Sequence, residues 1–223
     1  METNYEAIIL AGGEAWRLKP DIWTSKPMLK IGNWTLLEYQ IRWLMKSGIK
    51  HIIVASDQEY KIRHSFEEFV TWSVEPYQKG TGGAVMIAID HLKDKKQPFY
   101  LMNVDDIVLG HSPSMLLFPE TEARILVAKP RLGFGMVRLR QELVLGFKEK
   151  PYADFYVSCG HYAFKKHMVD TYFPDNGNLE DKVLPNLAKR RKLESQRTSQ
   201  WYTINTSKDY QIIKTLLEQG NTL

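Results

Sequence analysis

An α/β fold, with a mixed, mostly parallel sheet flanked by helices, follows from three observations. The run Ala7 to Ala11 is apolar, uncharged and β-branched at its centre, as a strand buried on both faces must be. One amphipathic helix separates it from a second such run, Ile52-Ile53-Val54-Ala55. Residues 7–55 thus read strand, loop, helix, strand, a βαβ unit with parallel strands and a right-handed crossover. A third buried strand, Phe99 to Met102, ends in two carboxylates, and beyond it strands outnumber helices.

The elements follow in order. Gly12-Gly13 ends the first strand and lets a ligand approach the main chain. Lys30 to Asn33 is a turn. Thr35-x-x-Glu38 is a capping box opening a helix whose Leu37, Ile41, Leu44 and Met45 share a face, and Gly48 stands where a glycine cap would stop it. Ile62, Phe66, Phe69 and Val70 mark a second helix, and Trp72 to Pro76 is extended. Gln78 to Gly83 reads as a glycine-rich turn, with Val85, Ala88, Ile89 and Leu92 carrying a helix away from it. Strands are expected over Ile125–Ala128, Leu143–Glu149 and Val157–Phe164. A helix opens at Leu179, limited by Pro185, and Trp201 to Asn205 is a short strand. Thr206-x-x-Asp209 caps a final helix with Tyr210, Ile213 and Leu217 inward, and Gly220 ends it. The expectation is one domain over 1–223, with a nucleotide-binding half at 1–110 and a mixed half at 111–223.

Composition removes several function classes. The 223 residues are 43% hydrophobic and 25% charged, with a net charge of +4. That balance suits an anionic small ligand and is too weak to argue for nucleic acid. The basic run Lys189 to Lys192 reads as a solvated helix end. A single cysteine, Cys159, excludes an internal disulfide framework or a Cys-rich zinc site. There is no His-Glu-x-x-His, no Gly-x-Ser-x-Gly elbow and no P-loop. No segment has the apolar length of a membrane span, and Met1 to Tyr5 is too polar for a signal peptide, so the expected location is cytoplasmic.

What remains is phosphate chemistry. A triphosphate needs backbone N–H groups, cations and a divalent metal, and Gly12-Gly13, Arg17, Lys26 and Asp105 supply that set. Mg²⁺ takes one or two carboxylates plus phosphate oxygens. Asp105 is the first choice and Asp106 the alternative, since the two point to opposite faces if strand alternation persists.

The order of these pieces resembles the sugar-phosphate nucleotidyltransferases, the pyrophosphorylases that make nucleotide sugars, and is nearest to short mannose- or heptose-1-phosphate guanylyltransferases. The signature Leu-Ala-Gly-Gly-x-Gly-Thr-Arg-Leu and Lys-Pro-Met-Leu stands as residues 10–18 and 26–29. Gly80-Thr81-Gly82-Gly83 is similar to the base-binding turn, and Asn103-Val104-Asp105 to the Asn-Gly-Asp metal motif. Phe147-Lys148-Glu149-Lys150-Pro151, Ser158-Cys159-Gly160-His161-Tyr162, Glu180 with Val183-Leu184-Pro185, and Trp201 to Thr206 resemble the remaining motifs. The resemblance implies a Rossmann-like fold, with no room at this length for the left-handed β-helix some members append. It implies a nucleoside triphosphate and a sugar 1-phosphate as partners, Mg²⁺ or Mn²⁺ as cofactor, and a possible homodimer. Arg17, Lys26 and Asp105 would be catalytic, with Asp105 or Asp106 on the metal. Leu10, Ala11, Gly12, Gly13, Glu75, Gly80 and Thr81 would hold the nucleotide. Glu149, Lys150, Gly160 and Glu180 would hold the sugar phosphate, Glu149 accepting sugar hydroxyls and Gly160 letting the sugar approach the backbone.

Glu75 favours GTP, because a carboxylate accepts from the N1–H and amino group of guanine and offers no donor to a uracil carbonyl; a surface strand residue is the alternative. Four departures fall on the site. Thr203 replaces the second metal Asp, Ala15-Trp16 replaces the loop Gly-Thr, Val104 replaces the Gly of the metal motif, and Asn205 replaces a later Gly. Three readings stand on the sequence: an active sugar-1-phosphate nucleotidyltransferase, a weakened binding or regulatory protein of the same fold, or a transferase for a non-sugar phosphate.

Overall fold

The computed structural model describes residues 5–218, apart from Glu14, Pro76, Lys95, Phe118, Pro119 and Thr121. The end of the extended stretch expected at Pro76 and the helix end expected at Gly220 therefore lie outside the described residues. Strand β1 (Glu6–Leu10) is buried throughout. A loop and the hairpin β2 (Lys30–Ile31) and β3 (Trp34–Thr35) lead into α1 (Leu36–Lys46). The capping box forms: the Glu38 N–H donates to Thr35 Oγ1 at 3.2 Å, and the Thr35 N–H donates to Glu38 Oε2 at 2.7 Å. Gly48 takes a φ of 86°, and the following Ile49 N–H donates to the Leu44 carbonyl, as a glycine-terminated helix requires.

Next come β4 (His51–Ser56), α2 (His64–Glu67) and β5 (Val70–Val74). The helix expected through Phe69 and Val70 stops at Glu67. Val70 pairs with Ile52 instead, because the β-branched run that begins there completes an edge strand. Then α3 (Gly80–Ala88), β6 (Phe99–Asn103), β7 (Asp106–Val108) and β8 (Ala123–Ala128) follow. A ribbon of β9 (Met136–Arg140) and β10 (Leu143–Lys148) precedes β11 (Val157–Phe164) and α4 (His167–Tyr172). A wide π-type turn, Leu179–Val183, opens α5 (Leu184–Lys189), with Pro185 tolerated in its first turn. Strands β12 (Leu193–Arg197) and β13 (Trp201–Thr203) and helix α6 (Ser207–Glu218) complete the order.

Seven strands form one sheet in the order β12-β8-β11-β6-β1-β4-β5. Only β11 runs against its neighbours. Alternation along β1 splits the core into two layers. Ala7 and Ile9 pack on the α1 and α6 side, and Ile8 and Leu10 on the α3, α4 and α5 side. No helix among the described residues is long and apolar enough to cross a membrane. Strands β7 and β13 make a small second sheet that carries the chain's last strand back to the end of β6.

Candidate active site

The site lies at the carboxyl edge of β1, β4 and β6, where parallel strands leave a crevice. β1 is pinned there by the Val104 N–H, which donates to the Leu10 carbonyl, and by the Ala11 N–H, which donates to the Ala55 carbonyl. Two cavities meet across the loop that follows. One, of about 290 Å³, is lined by Glu75, Gln78, Lys79, Gly80, Asn178 and neighbours; the other, of about 370 Å³, by Ala15, Trp16, Arg17, Lys26, Asn103 and Asp105. Leu10, Gly12, Gly13 and Thr81 line both. Larger hollows occur elsewhere, one of them lined by Glu6, Asp94 and three lysines, but none of them is bordered by the Gly12-Gly13 loop.

The loop geometry explains its sequence. Gly13 has a φ of 106°, which a side chain would resist. Ala15 has a φ of 49°, so this chain keeps a left-handed position without the glycine that would relieve it. The Trp16 indole borders the phosphate-side cavity but turns outward, 68% exposed, with the Lys19 ammonium 3.8 Å from its ring centroid. Arg17 donates to Asn205 Oδ1 at 3.4 Å.

Asp105 and Asp106 do point apart. The Asp105 carboxylate pairs with the Lys26 ammonium, both partly exposed. Asp106 is 6% exposed and accepts from Trp201 Nε1 at 2.9 Å and Asn103 Nδ2 at 3.0 Å. Burial, then the neighbouring Asp105 charge, raises its pKa to about 7. The expectation of Asp106 as an alternative metal ligand is therefore corrected: it is a buried cross-link between β6, β7 and β13. Gly160 lies against it. A Cβ there would lie 1.9 Å from Asp106 Oδ2, so its missing side chain admits that carboxylate.

Glu75 is half-buried at the far end of the smaller cavity, and burial pushes its carboxyl pKa up. The expected glycine-rich turn is instead the first turn of α3. Cβ atoms on Gly80, Gly82 and Gly83 would come within 2.6–2.8 Å of Lys79, Gly177 or Asn178, so these glycines let α3 dock on the 175–178 loop. Thr81 Oγ1 is part of that joint: it donates to Glu180 Oε2 at 2.7 Å and accepts from the Leu179 N–H. Glu180 thus reaches the nucleotide side of the site. Glu149 and Lys150 do not line either cavity. They sit exposed at the foot of the ribbon, with Lys150 Nζ 3.6 Å from Glu149 Oε1.

The sequence reading missed Gln40. Its amide, 1% exposed on α1, donates to the Val104 carbonyl at 3.0 Å and the Asp106 carbonyl at 2.8 Å, bracketing Asp105. The signal was present: a polar residue at the inward spacing of Leu37 and Leu44. His161 adds to this clamp. Its Nε2 lies 3.0 Å from the Asp106 carbonyl and its Nδ1 2.7 Å from the Tyr100 hydroxyl, so the neutral ring donates to the first and accepts from the second. Burial holds its pKa down to about 3. Cys159 is buried, its thiol pushed up to about 12 by burial, which suits packing and no nucleophilic role.

Mg²⁺ bound through phosphates needs little from the protein, and Asp105, beside the phosphate-side cavity, fits as its one carboxylate. No group of three or more His, Cys, Asp or Glu suited to a metal occurs among the described residues. Thr203, paired with Asp106 across β13 and β7, adds only a neutral hydroxyl.

The known proteins agree with this architecture. The chain is 27% identical over 224 residues to the mannose-1-phosphate guanylyltransferase catalytic subunit beta of Dictyostelium discoideum, and 26% identical over 225 residues to the mannose-1-phosphate guanyltransferase of Schizosaccharomyces pombe. Each match covers 92% of this chain and 62% of the relative, so the chain spans about three fifths of their length. A putative glucose-1-phosphate thymidylyltransferase from Bacillus anthracis superposes with a TM-score of 0.68 at 19% identity, covering 95% of this chain and 94% of that one. HddC from Yersinia pseudotuberculosis, solved in complex with GMP-PN, also gives 0.68 at 21% identity, over 95% and 98% of the two chains. With the Nucleotidyl transferase family model matching residues 6–220, the chain belongs to that family.

Proposed function

We propose that the chain transfers a guanylyl group from GTP to a sugar 1-phosphate. The observation that carries the reading is the pair of cavities joined across Gly12 and Gly13, with Glu75 at one end and Lys26, Arg17 and Asp105 at the other. A phosphate oxygen of the sugar 1-phosphate attacks the α-phosphorus in line. The bond from that phosphorus to the bridging oxygen of the β-phosphate breaks, and pyrophosphate leaves with the electron pair. The attacking oxygen is already anionic at neutral pH, so no general base is required, and catalysis is positioning plus charge neutralisation.

Lys26 offsets charge at the α-phosphate, and Arg17 holds the departing phosphates. Mg²⁺ or Mn²⁺, held on the protein side by Asp105, neutralises phosphate charge when bound. Leu10 to Gly13 and the Gly80-Thr81 turn bound the nucleotide, while Glu75 accepts from the guanine edge. Glu149 and Lys150 receive the sugar phosphate, with Glu180 bracing Thr81. The relatives' names support guanine and mannose 1-phosphate as the first pair to test.

Thr203 and the left-handed Ala15 favour a second reading, a nucleotide binder without turnover. A panel of four nucleoside triphosphates against several sugar 1-phosphates and phosphocholine, with Mg²⁺ or Mn²⁺, separates the readings by pyrophosphate release. The expected result is turnover with GTP and a hexose 1-phosphate. No release in any pair, with nucleotide binding seen by calorimetry, would establish the binder instead.

A further inference from the structure

The carboxyl edge of the sheet carries another hollow, which the nucleotide chemistry does not use. It measures about 590 Å³ and is lined by Lys129, Tyr152, Tyr156, Arg197, Thr198 and Ser199. Lys129 directly follows β8 and Arg197 ends β12, and these two strands run parallel. The hollow shares no lining residue with the two cavities beside Gly12 and Gly13. Strand β11 stands between β8 and β6, so the β8 and β12 ends lie two and three strands from the end of β6. At ordinary strand spacing that is about 10 and 14 Å across the sheet from the approach to Asp105.

Its cations are gathered without matching counter-charge. The Arg197 guanidinium lies 4.9 Å and the Lys129 ammonium 5.7 Å from the centroid of the Tyr156 ring, so one aromatic face holds two like charges together. Lys129 pairs with Asp154 at 2.8 Å, but that carboxylate stands fully in solvent, where such a pair contributes little. Arg197 has no carboxylate partner among the described residues. Two neighbouring cations with one weak counter-charge leave room for an anion, and the Arg197 fork suits a carboxylate or a phosphate.

The uncharged lining specifies what carries that anion. Tyr152 is 67% exposed and Tyr156 44%. An aromatic face bears negative partial charge and attracts the C–H face of a pyranose ring as it attracts a cation. Thr198 Oγ1 accepts from the Gln200 N–H and keeps its own proton to donate, and Ser199 brings a second hydroxyl. A nucleobase would need an amide or a carboxylate to read its edge, and neither lines the hollow.

We propose that this hollow binds an anionic sugar, a pyranose carrying a carboxylate or a phosphate, with the anion on Arg197 and Lys129 and the ring on Tyr152. The site also touches the foot of the ribbon. Tyr152 bridges Arg131, the Leu132 N–H donates to the Pro151 carbonyl, and the Ala153 N–H donates to the Pro130 carbonyl. A ring stacked on Tyr152 therefore steadies that foot. The binding is independent of the nucleotide chemistry.

Isothermal titration of the full chain with glucuronate and with glucose 6-phosphate, each up to about 10 mM, tests this, because a weak small-molecule site titrates in that range. The expected result is saturable binding of at least one of them, with neutral glucose at least tenfold weaker. Whichever binds identifies the anion as a carboxylate or a phosphate. Arg197→Met and Tyr152→Ala should each weaken binding at least tenfold, while Tyr152→Phe, which keeps the ring, should bind as the unaltered chain does. Far-UV circular dichroism checks that the variants fold, and amide exchange over 152–157 should slow when the sugar is added. Binding of neither anion, glucose bound equally well, or GMP or inorganic phosphate bound more tightly than both would each overturn the proposal. So would binding that Lys150→Ala removes and Arg197→Met does not, or binding that leaves exchange over 152–157 unchanged.

Discussion

The proposed nucleotide side and the proposed acceptor side of the site are built differently. On the nucleotide side, Asp105 sits between two carbonyls gripped by the buried Gln40 amide, and Asp106 beside it is tied to Trp201 and Asn103. On the acceptor side, Glu149 and Lys150 stand in water at the foot of a ribbon outside the core. The difference teaches that one half of the site is set by the fold, whereas the other depends on whatever orders the ribbon. Buried groups there hold position without a ligand; long exposed side chains lose rotamer freedom only when one arrives.

Several changes break or sharpen that contrast. The largest effect is expected from Asp105→Ala, which should lower turnover about 10³-fold, on the order of 4 kcal/mol in barrier, by pyrophosphate release. An unchanged rate would remove Asp105 from the metal.

Next comes pH. His161 has a folded pKa of about 3 and His111 of about 4, each lowered by burial from 6.5. The unfolded chain binds these protons first, so stability is complete above pH 6.5 and falls with acid until the folded values are reached. The slope is about 1.4 kcal/mol per pH unit for each ring, and Asp106, raised to about 7 in the folded chain, acts with the opposite sign and offsets about one ring between pH 4 and 7. Thermal unfolding between pH 7 and 4 reads it, and His161→Gln should flatten it. The ribbon contains no histidine, so the loss arises outside it.

On the acceptor side, Lys150→Ala should raise the KM for sugar 1-phosphate about tenfold while leaving the unfolding temperature and the KM for GTP unchanged, since one charge-assisted contact to phosphate is lost. A shift in GTP affinity instead would place Lys150 on the nucleotide. Glu75→Gln should lower kcat/KM for GTP relative to UTP by roughly fivefold to tenfold. The smallest effect is expected from Ala15→Gly: relief of the left-handed strain, partly offset by added freedom in the unfolded chain, gives about 0.5 kcal/mol of stability in a denaturant titration.

What could be read without the structure was what residues do locally. The apolar run of β1, the Thr35–Glu38 box and the Gly48 cap each depend on neighbours within a few positions, and all three formed. The end of α2 was misplaced because Val70 answers to a strand 18 residues earlier, not to its own helix face. Gly80, Gly82 and Gly83 looked like a ligand cradle because glycine records only that something comes close; the 175–178 loop that comes close is far away in sequence. Gly160 hid Asp106 in the same way. Asp105 and Asp106 could be ranked by alternation alone, but what buries Asp106 is Trp201, whose indole no local pattern connects to it. Glu149 and Lys150 were legible as a motif and not as geometry, since an exposed pair has no packing partners to fix it.

One consequence concerns the order in which the protein is made. The loop that begins the site is complete by residue 26, yet among the described residues β7, which follows Asp105, pairs only with β13, and the Asp105 carbonyl is met by the Ile204 N–H. A ribosome adds roughly 5–20 residues each second, so the glycine loop waits roughly 9–35 seconds for the strand that steadies Asp105. Until β13 is made, the nascent chain holds the glycine loop without the neighbour that braces Asp105.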